Sequence, residues 1–133
     1  MIRLLIYSSL KDPQWLKTGA ESEPVQSVRQ LYCEVARRDK LDAILEILLD
    51  TDSEEQTIIF RRTQEDVEWL ERALRRKGLA VSAIHGGLSQ GERNAVMQAF
   101  RSGDAKLLVS TSLTSRGIDV PTVANVVNYD IPE

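Results

Sequence analysis

Lys106-Leu107-Leu108-Val109 runs directly into Ser110-Thr111-Ser112-Leu113-Thr114-Ser115-Arg116-Gly117-Ile118-Asp119. The apolar run is typical of a short buried β-strand, and the polar residues behind it predict a loop. Hydroxyls, a guanidinium, a flexible glycine and a carboxylate therefore gather at the carboxyl end of one strand. Ligands bind at that end of the strands in open α/β sheets. We expect a binding surface here.

Two more apolar runs end in polar loops of the same kind. Thr57-Ile58-Ile59-Phe60 leads into Arg61-Arg62-Thr63, and Val81-Ser82-Ala83-Ile84 leads into His85-Gly86-Gly87. We predict that the loops after these three strands form one surface, which we call the rim. Hydroxyls, arginines and glycine amides suit phosphate oxygens and do not read base sequence. Five arginines are expected near the rim, as a local basic stripe or as solvated surface charges: Arg61, Arg62, Arg93, Arg101 and Arg116.

Helical and strand patterns alternate along the chain. Ser89 and Glu92 form a capping box for one helix, and Gly78 stands where a left-handed cap would end another. Strands that alternate with helices imply an α/β fold with parallel strands joined by right-handed crossovers. The mixed composition of residues 1–27 predicts a connecting segment before a folded domain over residues 28–133. Besides the three runs above, the predicted elements are strands over Val28–Val35 and Ala124–Asn128 and helices over Lys40–Asp50, around Val67–Leu74 and from Ser89 to Gly103.

Composition excludes several classes of protein. The chain has 133 residues, a net charge of −3 and a pI of about 5.3, which argues against a generally basic protein that coats nucleic acid. Cys33 is the only cysteine, so an internal disulfide is excluded and a cysteine-based zinc site is unsupported. The apolar patch over residues 1–10 is too short to span a bilayer. These features suit an intracellular protein without a membrane partner.

Chemically active residues are sparse. A phosphate-binding loop ending in Gly-Lys-Ser/Thr is absent from the sequence. His85, the only histidine, lacks a nucleophile at the usual spacing, so we interpret it as a structural hydrogen-bonding residue. Asp119 and Asp130 are candidates for an acid–base pair, but we favour a ribose anchor or ion pairs with arginine. The aromatic residues Trp15, Tyr32 and Trp69 form no stacking platform, and we interpret them as packing residues.

Four segments together resemble the DEAD-box RNA helicases of superfamily 2. Ile58-Ile59-Phe60 with Thr63 is similar to their motif IV, and His85 to Arg93 is similar to their His-Gly loop and Gln-x-x-Arg motif. Thr111 to Asp119 resembles motif V, and Val127 to Pro132 resembles the segment after it. The match runs in order from about Val28 to the end of the sequence. Arg-Gly-Ile-Asp combined with Gln-x-x-Arg favours the RNA branch over the DNA-directed relatives.

The resemblance implies the second of two RecA-like lobes, a three-layer domain whose mainly parallel sheet is flanked by helices. The other, N-terminal lobe would hold most of the ATP and its Mg²⁺, and RNA would lie across both lobes. By position, the resemblance assigns RNA contacts to Thr63, Gly86, Arg93 and Thr111, with Gln90 as their support. It assigns the ATP ribose to Asp119 with close approach at Gly117, and the network between the lobes to Arg116.

The sequence also departs from the family pattern. Ser112 and Gly87 stand where many members have aspartate, and Glu133 precedes the motif that supplies the arginines facing the γ-phosphate. We therefore expect a C-terminal lobe that is incomplete, inactive as an ATPase by itself, and prone to associate through an uncovered sheet edge. Three alternatives stay open: a catalytically dead RecA-like protein-interaction module, a lobe of a DNA-directed helicase, and a generic nucleotide-binding domain.

Overall fold

The computed structural model describes residues 29–111, 120 and 122–130. The chain divides into two compact units, residues 1–50 and 51–133. In the first unit, a 3₁₀ turn at Arg37–Asp39 leads into helix α1 (Lys40–Asp50), which confirms the helix predicted there. The strand predicted over Val28–Val35 is wrong, because residues 29–36 form neither helix nor strand. Leu31 and Tyr32 are 39% and 37% exposed, so the loose apolar alternation in this segment does not mark a buried face.

The second unit contains a four-stranded parallel sheet, as predicted. Its strands are β1 (Gln56–Arg61), β2 (Ser82–Ile84), β3 (Leu107–Thr111) and β4 (Val123–Asn128), in the order β2-β3-β1-β4. Every residue of β3 is buried, as are most residues of β1, which explains why both strands are nearly continuous apolar runs. The strand β4 lies at one edge of this sheet and is more exposed.

Two helices connect these strands. Helix α2 (Gln64–Arg76) follows β1, and its end is marked by Gly78, whose φ of +85° is the left-handed conformation that the sequence predicted. Helix α3 (Gln90–Ser102) follows β2 and ends at Gly103, with φ of +84°. Glycine lacks the Cβ that makes this conformation costly for other residues.

The helices cover opposite faces of the sheet. The crossover through α2 steps from β1 to the edge strand β2, and the crossover through α3 steps back to β3, so two right-handed connections require opposite faces. On one face, Phe100 of α3 is fully buried against Ile58, Ile84 and Leu108. Burying a side chain of this size contributes about 1.5–3 kcal/mol. The result is the three-layer architecture expected of a RecA-like lobe.

The described residues include no helix that is long and apolar enough to cross a bilayer.

Candidate nucleic-acid interface

The sheet register brings the three predicted loops to one edge. Arg61 at the end of β1 lies opposite Thr111 at the end of β3, and Ile84 at the end of β2 lies opposite Ser110. The loops that follow are therefore neighbours, with Thr63 after β1 and Gly86 after β2. Adjacent strands are about 4.8 Å apart, so the three strand ends span about 10 Å. The structure thus places Thr63, Gly86 and Thr111 along a single rim.

Thr63 begins helix α2 as its N-cap residue. Its Oγ1 accepts a hydrogen bond from the backbone N–H of Asp66, with 3.2 Å between the two atoms. A threonine hydroxyl that accepts one hydrogen bond can still donate its own proton. The cap therefore fixes the position of the Thr63 oxygen at the rim and leaves it able to donate to a phosphate oxygen.

His85 shapes the loop after β2. Its side chain is buried, and its Nδ1 accepts a hydrogen bond from the backbone N–H of Gly87 at 3.1 Å. The Nε2 atom lies 3.6 Å from Oε1 of Glu68 on α2. These contacts confirm that His85 is a structural hydrogen-bonding residue. They fix a turn in which Gly86 is exposed at the rim.

Arg93 reaches the same turn from helix α3. Its Nη2 donates to the carbonyl oxygen of Gly86 at 3.0 Å, while its Nε is buried without a hydrogen-bond partner. Gln90, one turn earlier, donates to Oδ1 of Asn94 at 2.9 Å. The Gln-x-x-Arg spacing thus places both side chains at the start of α3, where the partial positive charge of the helix favours anions.

The N-terminus of α3 is held by the predicted capping box. Ser89 Oγ accepts from the backbone N–H of Glu92 at 3.2 Å, and a carboxylate oxygen of Glu92 accepts from the backbone N–H of Ser89 at 2.7 Å. That hydrogen bond to the Ser89 backbone holds the pKa of Glu92 below its ordinary value. The cap fixes the first turn of the helix, from which Arg93 extends.

Arg61 differs from the prediction that it joins a basic stripe. Its side chain is only 8% exposed, with Nε 2.7 Å from Oδ2 of Asp130 and Nη2 3.1 Å from Oδ1 of Asp66. The guanidinium also lies 4.2 Å from the centre of the Tyr129 ring, and burial raises the pKa of that phenol. Arg61 ends β1, and the alternation of side chains along that strand turns its side chain inward. This orientation was not predicted from the sequence. Asp130 is therefore an ion-pair partner of an arginine, one of its two predicted roles.

Arg101 also lies away from the rim. It belongs to the last turn of α3, which runs from the carboxyl ends of the strands back toward their amino ends. Eight residues of helix separate it from Arg93, or about 12 Å at 1.5 Å per residue. Arg101 is thus a solvated surface charge, one of the two interpretations that the sequence allowed.

The remaining predicted residues divide into two groups. Thr111 is buried at the end of β3, and Trp69 is 44% exposed with its ring 5.7 Å from the guanidinium of Arg61. Four residues of the motif V segment and one tryptophan lie outside the described residues, and their assigned roles stay predictions: Ser112, Arg116, Gly117, Asp119 and Trp15. Within the described part of the chain, no cluster of three or more His, Cys, Asp or Glu side chains could hold a metal ion.

The helicase conserved C-terminal domain model matches residues 39–133. This chain belongs to the helicase conserved C-terminal domain family. It is 37% identical over 132 residues to the DEAD-box ATP-dependent RNA helicase CshA of Bacillus cereus, covering 99% of this chain and 25% of CshA. The domain thus spans about a quarter of the length of that curated relative. The domain boundary expected at residue 28 stays a prediction.

Solved helicase structures share the fold of this helicase C-terminal domain. Saccharomyces cerevisiae Dbp5 bound to RNA and ADP BeF3 superposes with a TM-score of 0.66 at 40% identity, over 71% of this chain and 24% of the Dbp5 chain. Escherichia coli SrmB bound to the regulator of ribonuclease activity RraA gives a TM-score of 0.63 at 32% identity, over 71% of this chain and 55% of the SrmB chain. These similarities confirm the RecA-like fold.

Proposed function

We propose that the chain is the RNA-binding and ATP-sensing lobe of an ATP-dependent RNA helicase that unwinds or remodels short RNA duplexes. The similarity to CshA, an ATP-dependent RNA helicase by name, and to Dbp5, solved with RNA and a nucleotide analogue, supports this proposal. The rim offers donors for a sugar–phosphate backbone and few groups that could read bases.

The arrangement around Arg93 and Gly86 is the observation that supports RNA binding most directly. Arg93 donates to the Gly86 carbonyl and extends from the first turn of a capped helix. Thr111 ends the neighbouring strand β3, and Thr63 follows the end of β1 as the N-cap of α2. A guanidinium, two hydroxyls and a helix N-terminus would together bind successive phosphates of a single strand. Gln90 supports the start of that helix beneath the RNA.

The nucleotide side of the proposal depends on the motif V segment. Asp119 would bind the ATP ribose, Gly117 would allow the chain to approach it closely, and Arg116 would join the network between the lobes. Bound ATP with Mg²⁺ would supply the phosphoryl group that is transferred. The N-terminal lobe would hold most of the ATP and its Mg²⁺. The present chain positions RNA and senses nucleotide, so we expect no ATP hydrolysis from it alone.

A chimera tests the proposed function. Residues 39–133 would replace the matching segment of B. cereus CshA, so that the host supplies every other part of the motor. We expect the chimera to retain ATPase activity that RNA stimulates more than DNA does, while the isolated chain shows none. R93A in the chimera should reduce the stimulation by RNA, and R101A on the same helix should not.

The other outcomes of this experiment favour the alternatives. A folded chimera without RNA-stimulated ATPase activity would contradict our proposal and favour a catalytically dead interaction module. Stronger stimulation by DNA would favour a DNA-directed helicase lobe. Nucleotide binding by the isolated chain would favour a generic nucleotide-binding domain.

The proposal also implies partners and a location. The N-terminal ATP-binding lobe is the first partner, and a second copy of the chain along β4 is another, since β4 is an edge strand of the described sheet and Val126 on its face is 56% exposed. Exposed apolar strand edges favour association. We place the protein inside the cell, in the cytoplasm or the nucleus, where both RNA and ATP are available.

A further inference from the structure

Arg61 connects three elements at the end of β1. Its Nε lies 2.7 Å from Oδ2 of Asp130, which follows β4, and its Nη2 lies 3.1 Å from Oδ1 of Asp66 in α2. The ring of Tyr129 covers its guanidinium at 4.2 Å. With 8% of its side chain exposed, Arg61 has little surface left for a ligand. A buried charge of this kind is tolerated only when it is paired.

The same two aspartates also hold the turn that carries Thr63. Oδ2 of Asp130 accepts a hydrogen bond from the backbone N–H of Arg62 at 3.1 Å. The backbone N–H of Asp66 donates to Oγ1 of Thr63 at 3.2 Å. Arg62 and Thr63 are thus each hydrogen-bonded to an aspartate that also pairs with the Arg61 guanidinium.

We propose that Arg61 is a positioning residue for RNA binding, which acts by fixing the turn that presents Thr63. This inference rests on the proposed function, because it needs Thr63 to contact a phosphate. Arg61 contributes by fixing the direction of the Thr63 hydroxyl through the contacts of Asp66 and Asp130.

Substitution of Arg61 tests this positioning role. R61M keeps much of the apolar stem and removes the charge, whereas R61K keeps a charge but lacks the planar fork that serves two carboxylates at once. We expect R61M to weaken the affinity for RNA about tenfold, close to the loss of one charge-assisted hydrogen bond. R61K should recover part of the affinity at low salt and little of it at high salt, where charge is screened.

A double-mutant cycle with Thr63 is the decisive experiment. Binding of a labelled single-stranded RNA by the full 133-residue chain would be measured by fluorescence anisotropy for the parent, R61M, T63V and R61M/T63V. Because Arg61 acts through Thr63, R61M should cost much less in the T63V background than in the parent. R76M, at the far end of α2, is the matched control and should bind RNA as the parent does.

Each other outcome has a defined meaning. If R61M binds RNA as the parent does, or if the R61M and T63V losses are fully additive, Arg61 does not position Thr63, although the proposed function still stands. If the parent chain does not bind RNA, the proposed function fails and the inference fails with it. Should R61M unfold, D130N replaces it, since asparagine keeps the acceptor oxygen and removes the charge. D130N must then weaken RNA binding in the parent and have little effect beside T63V.

Discussion

Gly87 lies close to the side chain of Gln64 at the start of α2. A Cβ atom built on Gly87 would come within 2.5 Å of Gln64 Nε2, whereas one built on Gly86 would have no neighbour within 4 Å. The Gln64 amide donates to Oε1 of Glu68 at 2.9 Å, and the same carboxylate oxygen faces His85. A glycine at this position therefore lets Gln64 join the contacts beneath the rim.

The close approach of Gly87 and Gln64 predicts coupling between the two positions. G87A should be nearly neutral or slightly destabilising in the parent, because the flexible amide of Gln64 must move aside. In a Q64A background the obstacle is gone, and G87A should stabilise the fold by about 0.4–1 kcal/mol through the lower entropy of the unfolded chain. Urea unfolding measures the four free energies of the cycle.

Gly86 provides the control for this cycle. G86A should have the same effect on the free energy of unfolding in both backgrounds, since nothing lies near its Cβ position. If G87A has equal effects with and without Gln64, the contact between residues 64 and 87 does not exist.

Individual residues show where sequence reasoning works and where it stops. The sequence identified Asp130 as a possible partner of an arginine and His85 as a structural residue, because each has a narrow choice of chemistry. It misjudged Arg61, since a polar residue after an apolar run can face solvent or turn inward. The signal that was missed is the alternation of side chains along a strand. Arg61 lies two residues after Ile59, so both side chains point to the same face of the sheet, and Ile59 is fully buried.

At the scale of elements, helix α3 is the best predicted part of the fold. Its start at the Ser89 capping box and its end at Gly103 are both local signals, and both are confirmed. The apparent strand at Val28–Val35 lacked such signals. Strand formation depends on a neighbouring strand, and a sequence pattern alone does not say whether one is present.

The α3 cap predicts a dependence of stability on pH. The Ser89 backbone lowers the pKa of Glu92, so the ionised carboxylate stabilises the folded state above its ordinary pKa of 4.5. That contribution should be lost as the pH falls through the lowered folded pKa. E92Q keeps an acceptor oxygen but has no carboxylate to protonate. Its free energy of unfolding should therefore change less than that of the parent between pH 5 and about pH 3.

Denaturant midpoints for the parent and E92Q across this pH range test the cap. Q98E, an added carboxylate on the exposed side of the same helix, controls for general changes in acid stability. Parallel pH curves for the parent and E92Q would show that the carboxylate of Glu92 does not cap the helix.

At the scale of the whole molecule, the parallel sheet and its flanking helices could be predicted because strands and helices alternate. The order β2-β3-β1-β4 could not, since it depends on which strands pair across the sheet. The rim nevertheless was predictable, because the carboxyl ends of parallel strands meet at one edge whatever their order. The inward orientation of Arg61 and the distance of Arg101 from the rim became visible only in the structure.

The central claim is that this edge binds an RNA backbone without reading its sequence. Affinity for single-stranded RNA as a function of salt concentration tests it most directly. With about three phosphates bound, the logarithm of the association constant should fall against the logarithm of salt concentration with a slope of about −2. R93A should weaken binding to every RNA sequence equally and reduce the slope by about 0.7, while R101A should leave it unchanged. A slope near zero, equal effects of R93A and R101A, or a loss confined to particular sequences would contradict the claim.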